Sequence, residues 1–391
     1  MIRTGIIGSG FAADFHFSSL AEVAGEDVRI EGVYSPTKEH RDAFAFERGI
    51  KAFTSLESLL DSVDVVHICS PPLAHEEAAV AALQRGIHTI IEKPFTGYFG
   101  TENDFNAAGF PREKMKQGAL ESASRMVQAE QESKGKIFYA ENWLWAPVIQ
   151  REAEIIRKTG AQILWMIAEE SHSGSHSPTY GIWRYSGGGS IMGKGCHPLT
   201  TAIYYKSVEG TAKSGKPIRP KSVTARTHDL TRIPEFQDKG YIRKEYQDVE
   251  DFGLIHIVFE DGTIADIFSS EIVLGGVHNW IEIFANNHRT RCNINPTDAM
   301  ETYNPQEEQF RDIYVVEKIG TKQGWSNPSP DENWATGYIQ EIRQFYRSIR
   351  NNEFPVPYSQ LAYDTIDVIY SSYLSAERNG TEVSVGDNGQ G

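Results

Sequence analysis

The chain opens on a mostly apolar run, Ile2–Ile7, which turns at once through Gly8-Ser9-Gly10 into an amphipathic stretch from Phe11 to Val23. A short apolar run followed by a longer one with helical spacing predicts a strand and then a helix. The alternation repeats. Ile30 to Tyr34 reads as a second strand, and Ser35-Pro36 predicts an N-cap and N1 proline for a helix through Ala43 to Arg48. Thr54 and Glu57 have capping-box spacing ahead of Leu56, Leu59 and Leu60. Val63 to Cys69 predicts a buried strand that stops at Ser70-Pro71-Pro72, Ala74 to Gln84 a helix that Gly86 closes in the left-handed conformation, and His88 to Ile91 a further strand. Strands and helices in this order predict a parallel, doubly wound α/β sheet.

Beyond Pro94 the pattern changes. Thr96 to Pro111, rich in Gly, Asn and Phe, reads as a loop, and Glu113 to Ser133 as a helix that serves as a lid or interface element. A helix from Val148 to Lys158 precedes a series of extended segments at Ile163–Ala168, Ser222–Thr227, Phe252–Phe259, Thr263–Ser270 and Trp280–Ala285. Asp261-Gly262 is a hairpin signal between two of them. Thr211 to Pro220 reads as a solvated loop, Tyr338 to Ile349 and Leu361 to Ala376 as helices. This divides the chain into a doubly wound domain over 1–140, an α+β domain with a large, mostly antiparallel open sheet over 141–378, and a frayed tail over 379–391. The last helices are free to pack back on the first domain.

Length and charge narrow the function class. At 391 residues the chain has room for about two cores, and a net charge of −15 disfavours a nucleic-acid or anionic membrane surface. No apolar stretch reaches the ~18 residues of a membrane helix, and the first strand starts at Ile2, so the reading expects neither membrane span nor signal peptide and a cytoplasmic location. Three cysteines, Cys69, Cys196 and Cys292, without C-x-x-C spacing point to free thiols.

The chemistry begins at Gly8-Ser9-Gly10-Phe11-Ala12-Ala13, a G-x-G-x-x-A version of the dinucleotide fingerprint set between a strand and a helix. Glycine permits the tight turn and close backbone approach, and the helix start aims amides at a pyrophosphate. This makes the first domain a Rossmann fold. The cofactor-binding set is Gly8, Gly10, Phe11, Ala12, Ser35, Thr37, Lys38, Ser70, Pro71, His75, Glu92 and Lys93. After the second strand, where an acid would hold the ribose of NAD, stands Ser35, with Thr37, Lys38 and Arg41 behind it. The cofactor is NADP or NAD, with a lean to NADP.

These motifs, together with Cys69-Ser70-Pro71-Pro72 and His75, Glu92-Lys93-Pro94, and Gly187-Gly188-Gly189 leading to Gly195-Cys196-His197, resemble those of the Gfo/Idh/MocA oxidoreductases over nearly the full length. The resemblance implies a two-domain fold with an open second sheet, and hydride transfer between NAD(P) and a sugar, glycoside or cyclitol. Lys93 and His197 would be its catalytic residues, His197 as base and Lys93 as cation and hydrogen-bond donor with a pKa lowered by burial or by the nicotinamide charge. One departure stands out: dehydrogenases of the family often carry an aspartate four residues before the histidine, and here that place is Gly193.

The Gly- and Ser-rich segment from Glu169 to Tyr185 reads as a substrate loop that supplies what the missing aspartate does not, with Glu170 among its candidates. The substrate-binding set is Asn142, His172, His176, Trp183, Arg184 and His197. Glu141 and Trp143, at the same domain junction as Asn142, are further candidates for substrate contact, with Trp143 and Trp145 at least equally suited to the core. A metal on His172, His176, Cys196 and His197 is not expected, because the loop lacks helical spacing. Partners are a small carbohydrate or cyclitol and further copies of the chain, as homodimer or homotetramer. Two other functions fit the same residues: a redox-neutral glycosidase, lyase or epimerase with bound NAD(H), and a non-catalytic NAD(P)/sugar sensor.

Overall fold

Strand β1 (Ile2–Ile7) is buried through Ile6 and Ile7, and its apolar faces seed the first sheet. The computed structural model describes residues 1–23, 27–101, 105–175, 177, 179–295 and 299–386. After β1 come α1 (Phe11–Glu22), β2 (Val28–Tyr34), α2 (Lys38–Arg48), β3 (Lys51–Phe53), α3 (Leu56–Leu60), β4 (Val65–Ile68), α4 (His75–Leu83), β5 (His88–Glu92), α5 (Arg112–Gln131) and β6 (Ile137–Ala140). The six strands are parallel in the order β3-β2-β1-β4-β5-β6, the doubly wound arrangement whose strand order reverses between β1 and β4. Two helix starts differ from the sequence expectation. Helix α2 begins at Lys38 after Thr37, because the Ser35 carbonyl is held by Arg41 Nη1 at 3.4 Å and the chain is still turning at Pro36. Helix α3 is capped by Ser55, whose hydroxyl accepts the Ser58 amide at 3.2 Å, not by Thr54.

The second sheet is built from α6 (Pro147–Thr159), β7 (Ile163–Ser171), α7 (Trp183–Ser186), a π-helical turn Ile191–Gly195, α8 (Cys196–Ser214), β8 (Pro220–His228), β9 (Phe252–Phe259), β10 (Ile264–Ser270), β11 (His278–Ala285) and β12 (Arg289–Asn295). A small hairpin of β13 (Thr302–Asn304) and β14 (Gly324–Ser326) follows, then α9 (Glu332–Ala335), α10 (Tyr338–Asn351), α11 (Tyr358–Glu377) and β15 (Val383–Ser384). The order is β12-β11-β7-β10-β9-β8-β15, antiparallel except for β10 beside β7. Two expectations are corrected here. Helix α8 continues to Ser214 and closes on left-handed Gly215, so the first part of the supposed loop from Thr211 is helical. Val383 and Ser384 pair with Val223 and Ser222 of β8, so this part of the expected tail joins the sheet instead of fraying, while residues 387–391 lie outside the described residues.

One face of this sheet packs on helices; on the other, half-buried Trp165 stacks on Phe284 at 4.6 Å and Arg291 covers Trp280 at 4.4 Å. The last helices return to the first sheet. Phe138 of β6 lies 5.0 Å from Phe345 of α10 and 5.4 Å from Tyr358 of α11. Burial of each such ring contributes about 1.5–3 kcal/mol, so β6 is anchored to the second half of the chain as well as to its own sheet. This fixes the carboxyl edge of the parallel sheet against helix α8. Among the described residues no helix is long and apolar enough to cross a membrane.

Candidate active site

The edge where β1, β4 and β5 end is shaped by one glycine above all. Gly8 has φ +111, and a Cβ there would lie 2.6 Å from the Cys69 carbonyl oxygen, so only glycine lets β1 pass so close to the end of β4. Gly10 faces open space and caps α1 without a side-chain hydrogen bond, which leaves the first-turn amides directed outward. Ser70 Oγ is shielded and has no partner within the protein. His75 bridges the two loops of this edge, Nε2 lying 2.9 Å from the Ser70 carbonyl and Nδ1 3.0 Å from that of Pro94. An open helix start, an orphan hydroxyl and a glycine cradle fit a dinucleotide. At the ribose corner Ser35 is buried, while Lys38 Nζ and Arg41 Nε reach Asp42 at 2.6 and 3.1 Å. Phe11 is exposed and meets Phe15 edge-on, which in turn stacks on Tyr338 of α10 at 4.9 Å.

Glu92 and Lys93 leave β5 together but face different ways. A buried chain of hydrogen bonds fixes Glu92, and its directions follow from the donors available. Thr4 donates to the Val65 carbonyl at 3.4 Å and Tyr346 Oη donates to Thr4 Oγ1 at 2.7 Å. The Tyr346 oxygen therefore accepts from His67 Nε2 (2.8 Å), leaving His67 Nδ1 bare to accept from His16 Nδ1 (2.7 Å). Burial, with His16 beside it, holds His67 well below the ordinary histidine value, in keeping with one N–H. His16 Nε2 then donates to Glu92 Oε1 at 2.8 Å, and Glu92 Oε2 accepts the amide of Lys93 at 3.0 Å. Burial alone would raise the Glu92 carboxyl, but the bond to His16 together with the charges of His16, Lys93 and His197 outweighs it and keeps the carboxylate below its usual range. Both Glu92 oxygens are thus engaged within the protein, where they set the backbone of Lys93.

The Lys93 side chain, half-buried, crosses to the second half of the chain and donates to the Gly193 carbonyl at 2.9 Å. Burial works to lower its ammonium, yet the carboxylates of Glu170, Glu92 and Glu141 around it prevail and hold it above the ordinary lysine value. This corrects the expectation of a lowered pKa: Lys93 is a fixed cation. Four residues after Gly193, His197 sits at the start of α8 with its ring parallel to Trp143 at 5.7 Å. Its Nδ1 is hydrogen-bonded to Glu141 Oε1, and its Nε2 faces Glu170 Oε2 at 3.9 Å. Burial pulls the imidazole down to about 4 and, opposed by Lys93 and aided by Glu92, pushes the Glu141 carboxyl up to about 8. Cation, imidazole and two carboxylates therefore share one buried corner at the carboxyl edge of the parallel sheet.

Residues 2–103 match the family model described as "Oxidoreductase family, NAD-binding Rossmann fold" (GFO_IDH_MocA). The first sheet through β5 is thus similar to that of the Gfo/Idh/MocA family, and the match ends beyond that strand. It is 38% identical over 95 residues to a UDP-N-acetylglucosamine 3-dehydrogenase of Acidithiobacillus ferrooxidans, covering 24% of this chain and 29% of that one. It is 37% identical over 98 residues to the scyllo-inositol 2-dehydrogenase (NADP(+)) IolU of Bacillus subtilis, again 24% and 29% of the two chains. The match thus spans under a third of these relatives' length. The fold match is far longer: GenD2 from gentamicin A biosynthesis, solved in complex with NAD, superposes with a TM-score of 0.79 at 21% identity over 98% of this chain and 96% of its own. An apo scyllo-inositol dehydrogenase from Lactobacillus casei gives 0.71 at 15% identity over 98% of each.

Against the Gfo/Idh/MocA pattern, the geometry explains the missing aspartate. A Cβ at Gly193 would fall on the Tyr180 ring, whose hydroxyl donates to the Gly189 carbonyl at 3.2 Å, so no side chain fits. Glu141, from the end of β6, takes the place beside His197 Nδ1. Sequence reasoning marked Glu141 as a substrate contact and missed this pairing; its signal was position, since β6 ends on the same edge as Lys93. Of the predicted substrate residues that the structure describes, only His197 stands in this corner. Trp183 is 1% exposed, its Nε1 donating to the Tyr98 carbonyl at 2.9 Å, and Arg184 Nη1 holds the Phe99 carbonyl at 2.9 Å. Asn142 Nδ2 ties the Thr336 carbonyl at 2.8 Å. His172 follows β7 and accepts the Gly174 amide at 3.1 Å, while His176 lies outside the described residues. Glu141, Cys196 and His197 bring three ligand-type atoms together, but His197 Nδ1 is already bonded to Glu141 and burial holds the Cys196 thiol protonated, a poor metal donor set.

Proposed function

We propose that the protein is an NAD(P)-dependent oxidoreductase acting on a secondary hydroxyl or keto group of a sugar, glycoside or cyclitol. The observation that carries this reading is the bond from Lys93 at the end of β5 to the turn that presents His197, with Glu141 behind the imidazole. A bound nicotinamide supplies the hydride acceptor or donor. Lys93 holds the substrate oxygen by charge and hydrogen bond as it becomes alkoxide-like. His197 Nε2 takes the hydroxyl proton when Nδ1–H donates to ionised Glu141, and returns it when the pair carries one proton more. Trp143 keeps the ring in plane. That curated relatives named for UDP-N-acetylglucosamine and scyllo-inositol share the first sheet supports a carbohydrate or cyclitol substrate.

The ribose corner supports NADP: it offers a hydroxyl and two cations and no acid after β2. Asp42 offsets part of that charge, so discrimination is modest. Lys38→Ala is expected to weaken NADP binding about fivefold, of the order of one exposed charge pair, and leave NAD binding unchanged in fluorescence titration; an equal effect on both cofactors would remove Lys38 from the site. The half-buried aromatic face of the second sheet supports a homodimer or homotetramer, and a monomer at micromolar concentration in sedimentation equilibrium would overturn it. Three free, buried thiols suit the cytoplasm, which cell fractionation would test.

The decisive experiment titrates NAD and NADP into the purified protein and follows the reduced-nicotinamide absorbance over a panel of sugars, glycosides and inositols. Substrate-dependent absorbance change is expected. Tight cofactor binding with a glycoside consumed and no net change would replace this reading by the redox-neutral one, and absence of cofactor binding would end both.

A further inference from the structure

The covered face of the second sheet is apolar rung after rung and then changes at one row. Across β10, β7 and β11 the inner row is Ile267, Ala168 and Ile281, all buried. Two residues further along, Ser269, Glu170 and Asn279 stand abreast on the same face. Ser269 is engaged, its hydroxyl donating to Ser190 at 3.3 Å. The other two are not: Glu170 is 7% and Asn279 9% exposed, and Glu170 Oε2 and Asn279 Oδ1 find no partner within the protein. A buried carboxylate oxygen left bare is costly, and its persistence calls for a donor supplied from outside. Glu170 Oε2 lies 3.9 Å from His197 Nε2, too far for a hydrogen bond and near enough that neighbouring groups of one ligand touch both.

We infer that Glu170, with Asn279 beside it, binds the hydroxyl on the carbon next to the one that reacts, so that the substrate is a ring bearing a free hydroxyl adjacent to the oxidised position. The inference rests on the function proposed above and narrows its substrate class. The reacting hydroxyl meets His197 Nε2 and Lys93; its neighbour donates to Glu170 Oε2 and exchanges a hydrogen bond with the Asn279 amide. An acceptor-only carboxylate repels a uronate or phosphate at that carbon, whereas a hydroxyl or an ammonium satisfies it. Lys93 lies close enough to Glu170 to keep the corner near neutrality once both are ionised. Because a polar group built to receive a substrate hydroxyl rejects the analogue that lacks it, Glu170 is a specificity-determining residue.

The test compares scyllo-inositol and myo-inositol with their monodeoxy counterparts, and D-glucose with 2-deoxy-D-glucose, which lacks the neighbour of both C1 and C3. Wild type, Glu170→Gln and Glu170→Ala are assayed with NAD and NADP, and cofactor titration verifies that each variant is folded. Wild type should favour the hydroxylated member of a pair by ~10²-fold or more in kcat/KM. Glu170→Ala should cut that preference at least tenfold by lowering the rate on the hydroxylated ring while sparing the deoxy one, with Glu170→Gln in between. A preference unchanged in Glu170→Ala, or no preference in wild type, overturns the inference and leaves the dehydrogenase reading standing. No turnover of any panel member by wild type overturns both.

Discussion

Lys93→Ala should lower turnover by ~10³-fold, the scale of removing one preorganised donor from a developing oxyanion, while cofactor affinity changes by less than about threefold. The size follows from the surroundings. The ammonium is half-buried among Glu92, Glu141 and Glu170, so it acts in a medium where a charge counts for more than in water. Its amide is held by Glu92, which is held by His16, and so the side chain starts from a fixed point. Affinity for the dinucleotide comes from elsewhere, from the Gly8–Gly10 turn and the start of α1. Single-turnover absorbance at saturating cofactor separates the two effects. A variant within tenfold of wild type would remove Lys93 from the chemistry. Lys93→Arg should restore little, because the guanidinium fork does not fit a single contact to the Gly193 carbonyl.

How far the sequence carried the argument depended on the range of the interactions involved. The centre of the first sheet, β1, β2, β4 and β5, was legible because its logic is local: each of these strands and the turn glycines between them is written within a dozen residues, and Gly8, Gly10 and Glu92-Lys93 fell where that logic puts them. The short strands β3 and β6 and the edge strands β12 and β15 were not, since segments of two to four residues, or seven with two arginines, two asparagines and a threonine among them, carry no period of their own and exist by pairing with a neighbour. The site divides in the same way. Lys93 and His197 announced themselves by motif. Glu141 as the partner of His197 did not, because the two are 56 residues apart and meet only where β6 and α8 cross. Tyr180 explains Gly193 only in three dimensions. Trp183, Arg184 and Asn142 looked like ligand contacts by residue type, yet each is occupied by a backbone carbonyl of a neighbouring loop. Residue type reported that polar partners are needed, not whether protein or ligand provides them.

His197→Ala should cost ~10²–10⁴-fold, the usual contribution of a positioned base, but the sharper result lies in how the wild-type rate varies with pH. Imidazole and Glu141 titrate as a pair. Burial holds the second proton off until about 4, and takes up the first near about 8. Above the upper midpoint the pair is imidazole and carboxylate, Nδ1–H points at Glu141, and Nε2 is bare to accept a proton from the substrate hydroxyl. Below it the pair holds one proton more, and Nε2 carries a hydrogen to give to a keto oxygen. Alcohol oxidation is therefore expected to rise with pH through about 8 and carbonyl reduction to fall through the same point. Neither should show a separate step near the ordinary histidine value of ~6.5. Glu141→Gln keeps a group of the same shape at Nδ1 and removes the carboxyl that titrates. It should lower the oxidation rate and abolish the step near 8, since the isolated imidazole, still buried, stays neutral throughout the neutral and alkaline range. A step that survived in Glu141→Gln would belong to another group, and the proton path would have to be redrawn through Glu170.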